Sequence, residues 1–218
     1  MFVLSSINVN GLNDIIKCDT IFHKIRNSRQ DIIFLQETHL TDISKNNIVN
    51  KTRWPSESFH AVANNSKAGV SILFGENITT NIHSTDICKE GRYIIIDITI
   101  EEKRILLVNI YAPSGGNQVK SRRLFFLRMK DKITKFSDVD TVMMGGDFNC
   151  TLVNNFDRNR EIVYVDRSVP ALKDAIAVHC LEDIWRTLHP QTKEYTFRST
   201  IGTSCRLDRF YTSRNSKK

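Results

Sequence analysis

Short branched apolar runs alternate along the chain with segments whose apolar positions recur every three or four residues. DIIFLQ (31–36), VSILF (70–74), YIIIDITI (93–100), ILLVNIY (105–111) and TVMM (141–144) predict buried strands. The opening MFVLSSINVNG alternates in the manner of a strand, as do YTFRS (195–199) and RLDRFY (206–211). Cys18, Ile21, Phe22 and Ile25 share a helical face, and so do Phe126, Met129, Ile133 and Phe136. A third helix is predicted from Ser168 to His179, with Ser168 as N-cap and Pro170 in the first turn. These Phe and Met stripes read as core contacts. Strands mixed with helices predict two packed sheets with helices outside, and a doubly wound sheet fits the same periodicity. There is no internal repeat, low-complexity tract or linker, so one domain spanning 1–218 is expected.

Composition narrows the class. Of 218 residues, 40% are hydrophobic and 25% charged, enough apolar material for a core. No apolar run reaches the ~18 residues of a membrane span, so no membrane partner is expected. The N-terminal stretch lacks a basic n-region, which predicts a chain that is not secreted. Five scattered cysteines without a C-x-x-C pair read as reduced thiols of an intracellular protein, nuclear or cytoplasmic. A net charge of +7 favours a polyanionic partner.

Candidate chemistry sits at the strand ends. MMGGDFNC (143–150) closes an apolar run with Gly145 and Gly146, then places Asp147 and Asn149 one residue apart. If the strand continues, the two share a face and Phe148 points into the core. If it ends, they make turn bonds instead. Asn8, Glu37 (in LQETH), Tyr111 (in NIYAP) and Asp208 (in RLDRFY) likewise follow or interrupt apolar strands. Each has a bland role open to it as a cap, a turn carboxylate, a core aromatic or a surface ion pair. Together they read as one cleft of acids, amides and a phenol. Such donors suit a hard cation held by oxygen, for which Mg²⁺ is the first choice and Mn²⁺ a substitute.

The strings INVNGLN (7–13), LQETHL (35–40), KAGVSILF (67–74), KEGRYIII (89–96), NIYAP (109–113), GGDFN (145–149), IWRTLHPQTKEYTF (184–197) and RLDRFY (206–211) carry a resemblance. In this order they are similar to the endonuclease domain that opens the second reading frame of LINE-type retrotransposons. That domain belongs to the endonuclease/exonuclease/phosphatase superfamily, with the apurinic/apyrimidinic endonucleases. The resemblance implies an α/β fold, a four-layer sandwich of two packed mixed β-sheets flanked by helices. It implies Glu37 as the main metal ligand, with Asn8 and Asp208 near the metal end. Tyr111 contacts the scissile phosphate, Asp147 aligns or activates water, Asn149 binds phosphate and orients Asp147, and Thr196 supports the cleft. The expected activity is Mg²⁺-dependent nicking of one DNA strand, leaving a 3′-hydroxyl for target-primed reverse transcription. The expected partner is double-stranded DNA, met by a monomer once fused to a reverse transcriptase. The loop TIGTSC (200–205), with Thr203, corresponds to a hairpin that enters a DNA groove in the family. Arg198 and Arg206 flank it, and Arg158, Arg160, Arg167 and Lys193 extend the basic surface.

One family element has no counterpart before Lys218: a last strand carrying Ser-Asp-His. Its absence predicts a truncated or decayed copy with impaired cleavage, and keeps a DNA-binding remnant as the alternative. His39 stands in the QETH string without a catalytic role implied for it. A small-molecule phosphatase of the superfamily fits less well, because MGGDFN and CRLDRF depart from the strings of those branches.

Overall fold

The computed structural model describes residues 2–42, 44, 56–63, 67–159 and 166–213. The chain divides into two compact units, Met1–Tyr111 and Ala112–Lys218.

The first unit holds two facing sheets. Strands β1 (Leu4–Asn8), β2 (Ile32–Gln36), β3 (Ser58–Ala61) and β4 (Val70–Phe74) form one sheet in the order β1-β2-β4-β3. The β1–β2 pair is parallel, and the pairs β2–β4 and β3–β4 are antiparallel. Strands β5 (Asn81–Ile87), β6 (Tyr93–Ile100) and β7 (Lys103–Tyr111) form an antiparallel run. Helix α1 (Ile15–Asn27) starts at Asp14, whose side chain accepts the Lys17 N–H at 2.7 Å. It lays Cys18, Phe22 and Ile25 against Val9, Ile33, Leu35 and Leu73, with Ile21 packed partly against them, as its spacing predicts.

Apolar packing between the sheets is interrupted by a pair of buried amides. Asn109 of β7 and Gln36 of β2 are fully buried, and Gln36 Nε2 donates to Asn109 Oδ1 at 2.7 Å. Asn109 Nδ2 donates to the carbonyls of Leu35 (3.1 Å) and Ser71 (2.8 Å), and Ser6 Oγ donates to Gln36 Oε1 (3.2 Å). Two amides placed in a dry interior are tolerated because their partners satisfy them. They fix how the two sheets of this unit register.

The second unit contains β8 (Thr141–Asp147), β9 (Leu181–Asp183) and β12 (Asp208–Ser213), with β12 antiparallel to both of the others. A short hairpin joins β10 (Phe197–Arg198) to β11 (Ser204–Cys205). Helix α2 (Val119–Ile133) buries Phe125, Phe126, Met129 and Ile133. Its predicted continuation to Phe136 does not form. The chain turns at Thr134, and Phe136 N–H bonds to Ile133 O at 3.0 Å. After the short helix α3 (Asn154–Asp157) comes α4 (Val169–Val178), with Pro170 in its first turn. Ser168 takes the N-cap position without capping by its side chain. Its hydroxyl instead donates to Asp166 Oδ1 (2.6 Å) and accepts from Arg122 Nε (3.0 Å). A last short helix, α5 (Ile184–Leu188), is capped by Asp183. No helix among the described residues is long and apolar enough to cross a membrane.

Candidate active site

Each strand-end residue singled out in the sequence lies at a strand terminus. Asn8 ends β1, Glu37 follows β2, Tyr111 ends β7, Asp147 ends β8 and Asp208 begins β12.

In the first unit the structure brings Asn8 and Glu37 together. Asn8 Nδ2 donates to Glu37 Oε1 at 2.8 Å, while Asn8 Oδ1 accepts the Asn10 N–H at 3.1 Å. The amide in this arrangement orients the carboxylate through its N–H. Glu37 and His39 both adopt left-handed backbone, with φ of 52° and 55°. For residues other than glycine this costs of order 1–3 kcal/mol each and persists only where the surroundings impose it. Here backbone bonds impose it. Gly11 N–H meets Glu37 O, Leu12 N–H meets Thr38 O, Thr38 N–H meets Gly69 O, and His39 N–H meets Ala68 O, at 2.6–3.1 Å. Thr38, between the two strained residues, is fully buried. Gly69 must be glycine, since its φ is +122° and a Cβ there would overlap Thr38 Oγ1. The Glu37 and His39 side chains emerge with 23% and 25% exposure, Oε2 and Nε2 3.6 Å apart. Tyr111 belongs to this unit as well. It is buried, its ring lies under the Arg92 guanidinium at 4.7 Å, and its N–H bonds to Arg92 O at 2.8 Å.

In the second unit Asp147, Asn149, Asp208 and Thr196 come together. Asp147 does not share an extended strand face with Asn149. The strand stops at Asp147, and Asn149 has a left-handed φ of 50°. The two are joined by a turn bond from Asn149 N–H to Asp147 Oδ1 at 2.8 Å. Phe148 is fully buried, as expected, stacks on Phe126 and meets Tyr211 edge to face. Asn149 Nδ2 is anchored to Ala112 O at 2.9 Å, and Ala112 N–H bonds to Asp147 O at 2.9 Å. Asp208 lies directly opposite Asp147 in the β8–β12 register. Phe148 N–H bonds to Leu207 O outside that pair, which makes it the closer, non-hydrogen-bonded type. Like charges placed directly opposite one another are unfavourable. Thr196 Oγ1 accepts the N–H groups of Leu207 (3.0 Å) and Asp208 (3.1 Å), which fixes the start of β12.

The basic residues expected at DNA divide. Arg198 is exposed on the hairpin, and Arg167 and Lys193 are exposed elsewhere. Thr203 is half-buried, and its N–H bonds to Ser199 Oγ. Asn159 braces the hairpin by accepting Ser204 N–H (2.8 Å) and donating to Gly202 O (2.9 Å). Arg158 is half-buried, with Nε donating to Thr151 Oγ1 at 2.9 Å. Arg160 lies outside the described residues. Arg206 is a correction: it is 4% exposed and does not present its guanidinium to a groove. Its Nη1 and Nη2 donate to Asp183 (3.0 and 2.6 Å) and its Nε donates to Asp157 (2.9 Å).

That contact belongs to a network whose acids, Asp157 and Asp183, the sequence left unassigned. Asp157, fully buried, also accepts Leu152 and Val153 N–H groups and lies 3.3 Å from Arg209 Nη2. Burial alone raises the Asp157 pKa, but Arg209 and Arg206 more than reverse this and hold it below the usual carboxylate range. Arg209 in turn covers the Phe148 ring and donates to Cys150 O at 2.8 Å. The network therefore clamps the segment after GDFN to the start of β12. The sequence signal was faint: Arg206 and Arg209 stand three residues apart, and the two acids that meet Arg206 lie 49 and 23 residues away.

The sequence model of the Endonuclease/Exonuclease/phosphatase family matches residues 5–218, and the chain belongs to that family. Its mixed sheets flanked by helices are the α/β sandwich of the family. A Xenopus laevis protein described as the transposon TX1 uncharacterized 149 kDa protein is 28% identical over 216 residues. The alignment covers 96% of this chain and only 16% of that relative, so the chain spans about a sixth of its length. AP endonuclease LMAP from Leishmania major shares the fold with a TM-score of 0.75 at 17% identity, over 98% of this chain and 79% of that one. A humanized D. rerio TDP2 gives 0.71 at 18% identity, over 98% and 83%. Truncated Caenorhabditis elegans TDP2 gives 0.67 at 19%, over 97% and 83%.

Members of this family act as nucleases and phosphodiesterases, typically with a divalent cation. Among the described residues no group of three or more His, Cys, Asp or Glu encloses an ion. The donors still fit one. Mg²⁺ is commonly held by one or two carboxylates, with water and phosphate completing the shell. Glu37 supplies such a carboxylate, partly exposed and fixed by Asn8.

Proposed function

We propose that the chain is a divalent-cation-dependent DNA endonuclease of retrotransposon origin. It nicks one strand by phosphodiester hydrolysis and leaves a 3′-hydroxyl able to prime reverse transcription. The observation that carries this reading is Glu37: a partly exposed carboxylate held on a strained backbone by four strand-end bonds, in a family of phosphodiesterases.

Glu37 would hold the cation, with Asn8 steadying its Oε1. A bound divalent cation, Mg²⁺ or in its place Mn²⁺, would supply neutralisation of the charge that develops on the phosphate. Asp147 aligns the attacking water and takes its proton, with Oδ1 steadied by the Asn149 N–H. The Asn149 amide spends one N–H on Ala112 O and offers the other to a phosphate oxygen. Tyr111 is assigned a hydroxyl contact to the scissile phosphate. Asp208, opposite Asp147, adds a second carboxylate beside it, and Thr196 keeps its backbone in place. Arg198, Arg158 and Thr203 contact the DNA backbone around the hairpin. One domain fused to a reverse transcriptase fits the short share of the TX1 relative that the chain spans.

The test is nicking of supercoiled plasmid in Mg²⁺ and in EDTA, beside Glu37→Ala. Open circles that need the cation and Glu37 support the reading. Equal nicking by the variant sinks the site. Salt-sensitive DNA binding without nicking leaves a binding protein in its place.

A further inference from the structure

The geometry points to His39 as a second protein ligand of the cation. Glu37 and His39 thus form a mixed oxygen–nitrogen site that takes Mn²⁺ more tightly than Mg²⁺. This rests on the reading of Glu37 as the cation's carboxylate.

Four observations converge on the imidazole. First, Thr38 is buried and both its neighbours are left-handed, so Glu37 and His39 emerge together. Second, Nε2 lies 3.6 Å from Glu37 Oε2. A charge-assisted hydrogen bond would close to about 2.7–2.9 Å, and 3.6 Å is outside hydrogen-bonding range. The two donors therefore face each other across a gap. Ligand distances of about 2.0–2.2 Å for nitrogen and oxygen allow one ion to reach both. Third, the ring is held in place. A Cβ on Gly11 would come to 3.1 Å from His39 Nδ1, so the glycine (φ +90°) lets the ring lie close to the chain there. The His39 carbonyl accepts Asn13 Nδ2 at 3.0 Å, and its N–H is tied to Ala68 O. Fourth, the Asn8 amide turns its N–H toward Glu37 and its oxygen toward Asn10. Oε1 takes the Asn8 N–H, and Oε2 is the oxygen that faces the imidazole.

The donor types decide which ion gains. Carboxylate, water and phosphate suit Mg²⁺ and Mn²⁺ alike, whereas an imidazole favours transition ions over Mg²⁺. A ligand nitrogen shifts preference toward Mn²⁺ without excluding Mg²⁺.

Mn²⁺ binding to the whole chain is followed by electron paramagnetic resonance, with pulsed detection of ¹⁴N coupling. The comparison is between the parent, His39→Asn and Glu37→Gln. Asn tolerates left-handed backbone, so His39→Asn keeps the turn. The expected result is one imidazole nitrogen coupled to Mn²⁺ in the parent and lost in His39→Asn. Mn²⁺ affinity should drop by roughly tenfold or more, the low end of what even outer-shell partners cost. Mg²⁺ affinity should change less. Bound Mn²⁺ without nitrogen coupling, or coupling that survives in His39→Asn, overturns the role of His39 and leaves Glu37 as the cation's carboxylate. Absence of saturable binding that depends on Glu37 overturns both.

Discussion

Glu37 and Asp157 are both carboxylates tied into polar networks, one in each compact unit, and their surroundings are opposite. Asp157 is fully buried and surrounded by compensation: two backbone N–H groups, Arg206 and Arg209. Glu37 is partly exposed on a strained backbone, beside a neutral amide that donates to it and an imidazole beyond hydrogen-bonding distance. A charge enclosed by matched partners holds a fold together. A charge with an open side, kept there against backbone strain, is what an active site needs, because a ligand can supply the missing interactions. Acidity in a sequence does not separate the two cases; the count of partners and the backbone conformation do.

The most direct way to break this comparison is to remove each carboxylate. Glu37→Ala should lower nicking by about 10²–10⁴-fold, the range for loss of a positioned catalytic group, while thermal stability hardly moves. Asp157→Ala should do the reverse in kind. It leaves two buried guanidinium groups without their shared anion, and breaking such a pair costs about 3–5 kcal/mol. Urea denaturation monitored by circular dichroism reads that loss. If Glu37→Ala unfolds the protein while Asp157→Ala leaves it intact, the two roles have been assigned the wrong way round.

The cradle under Glu37 sharpens the comparison further. Gly69→Ala places a methyl group against Thr38 Oγ1 on a backbone of φ +122°. The cost should be about 1–3 kcal/mol of stability from the strained conformation. Cation binding should weaken with it, because Gly69 O holds the Thr38 N–H between Glu37 and His39. Calorimetric titration with Mn²⁺ measures the second effect, and unchanged affinity would separate the cradle from the site.

These residues also show what the chain's sequence made legible. The apolar face of α1 and the strands around DIIFLQ and YIIIDITI follow from periodicity, because each buries one continuous stripe or run. Strand β5, with its mostly exposed NIHSTDI, carries no such signal, and YTFRS yields only the two residues of β10. The site residues were legible as polar interruptions at strand ends. How they meet was not. Asp147 and Asn149 are joined by a turn where alternation suggested a shared strand face. Arg206 reads like a DNA-facing arginine, since an isolated charge is normally exposed. Its burial depends on Asp157 and Asp183, and only the folded chain brings those two acids to it. Asn109 stood within an apolar strand, and that oddity was a usable sign of a buried polar clamp.

Acid separates the two kinds of carboxylate again. The folded pKa of Asp157 is lowered: burial raises it, and Arg209 and Arg206 more than offset this. Asp166 follows the same pattern, with burial opposed by Ser168 and Arg122. A depressed folded pKa contributes stability that is present above the unfolded value of about 3.9 and lost as pH falls through the folded one. Urea midpoints should therefore drop between pH 5 and pH 3. In Asp157→Asn the remaining slope should be shallower. An identical slope in parent and variant would show that Asp157 does not carry the acid response.

The smallest expected effect tests the brace on Asp208. Thr196 is exposed, yet its hydroxyl accepts two consecutive N–H groups, of Leu207 and Asp208. Thr196→Val keeps the shape and removes the acceptor. Water can reach the freed N–H groups, so the stability change should stay near 0.5–1.5 kcal/mol, about the net worth of a hydrogen bond. Nicking should fall by about tenfold if a small displacement of Asp208 opposite Asp147 matters to the chemistry. Thr196→Ser restores the acceptor and should recover most of the rate. If Val and Ser behave alike, the hydroxyl is dispensable, and the start of β12 is held instead by the Arg206–Asp157 clamp one residue away from Leu207.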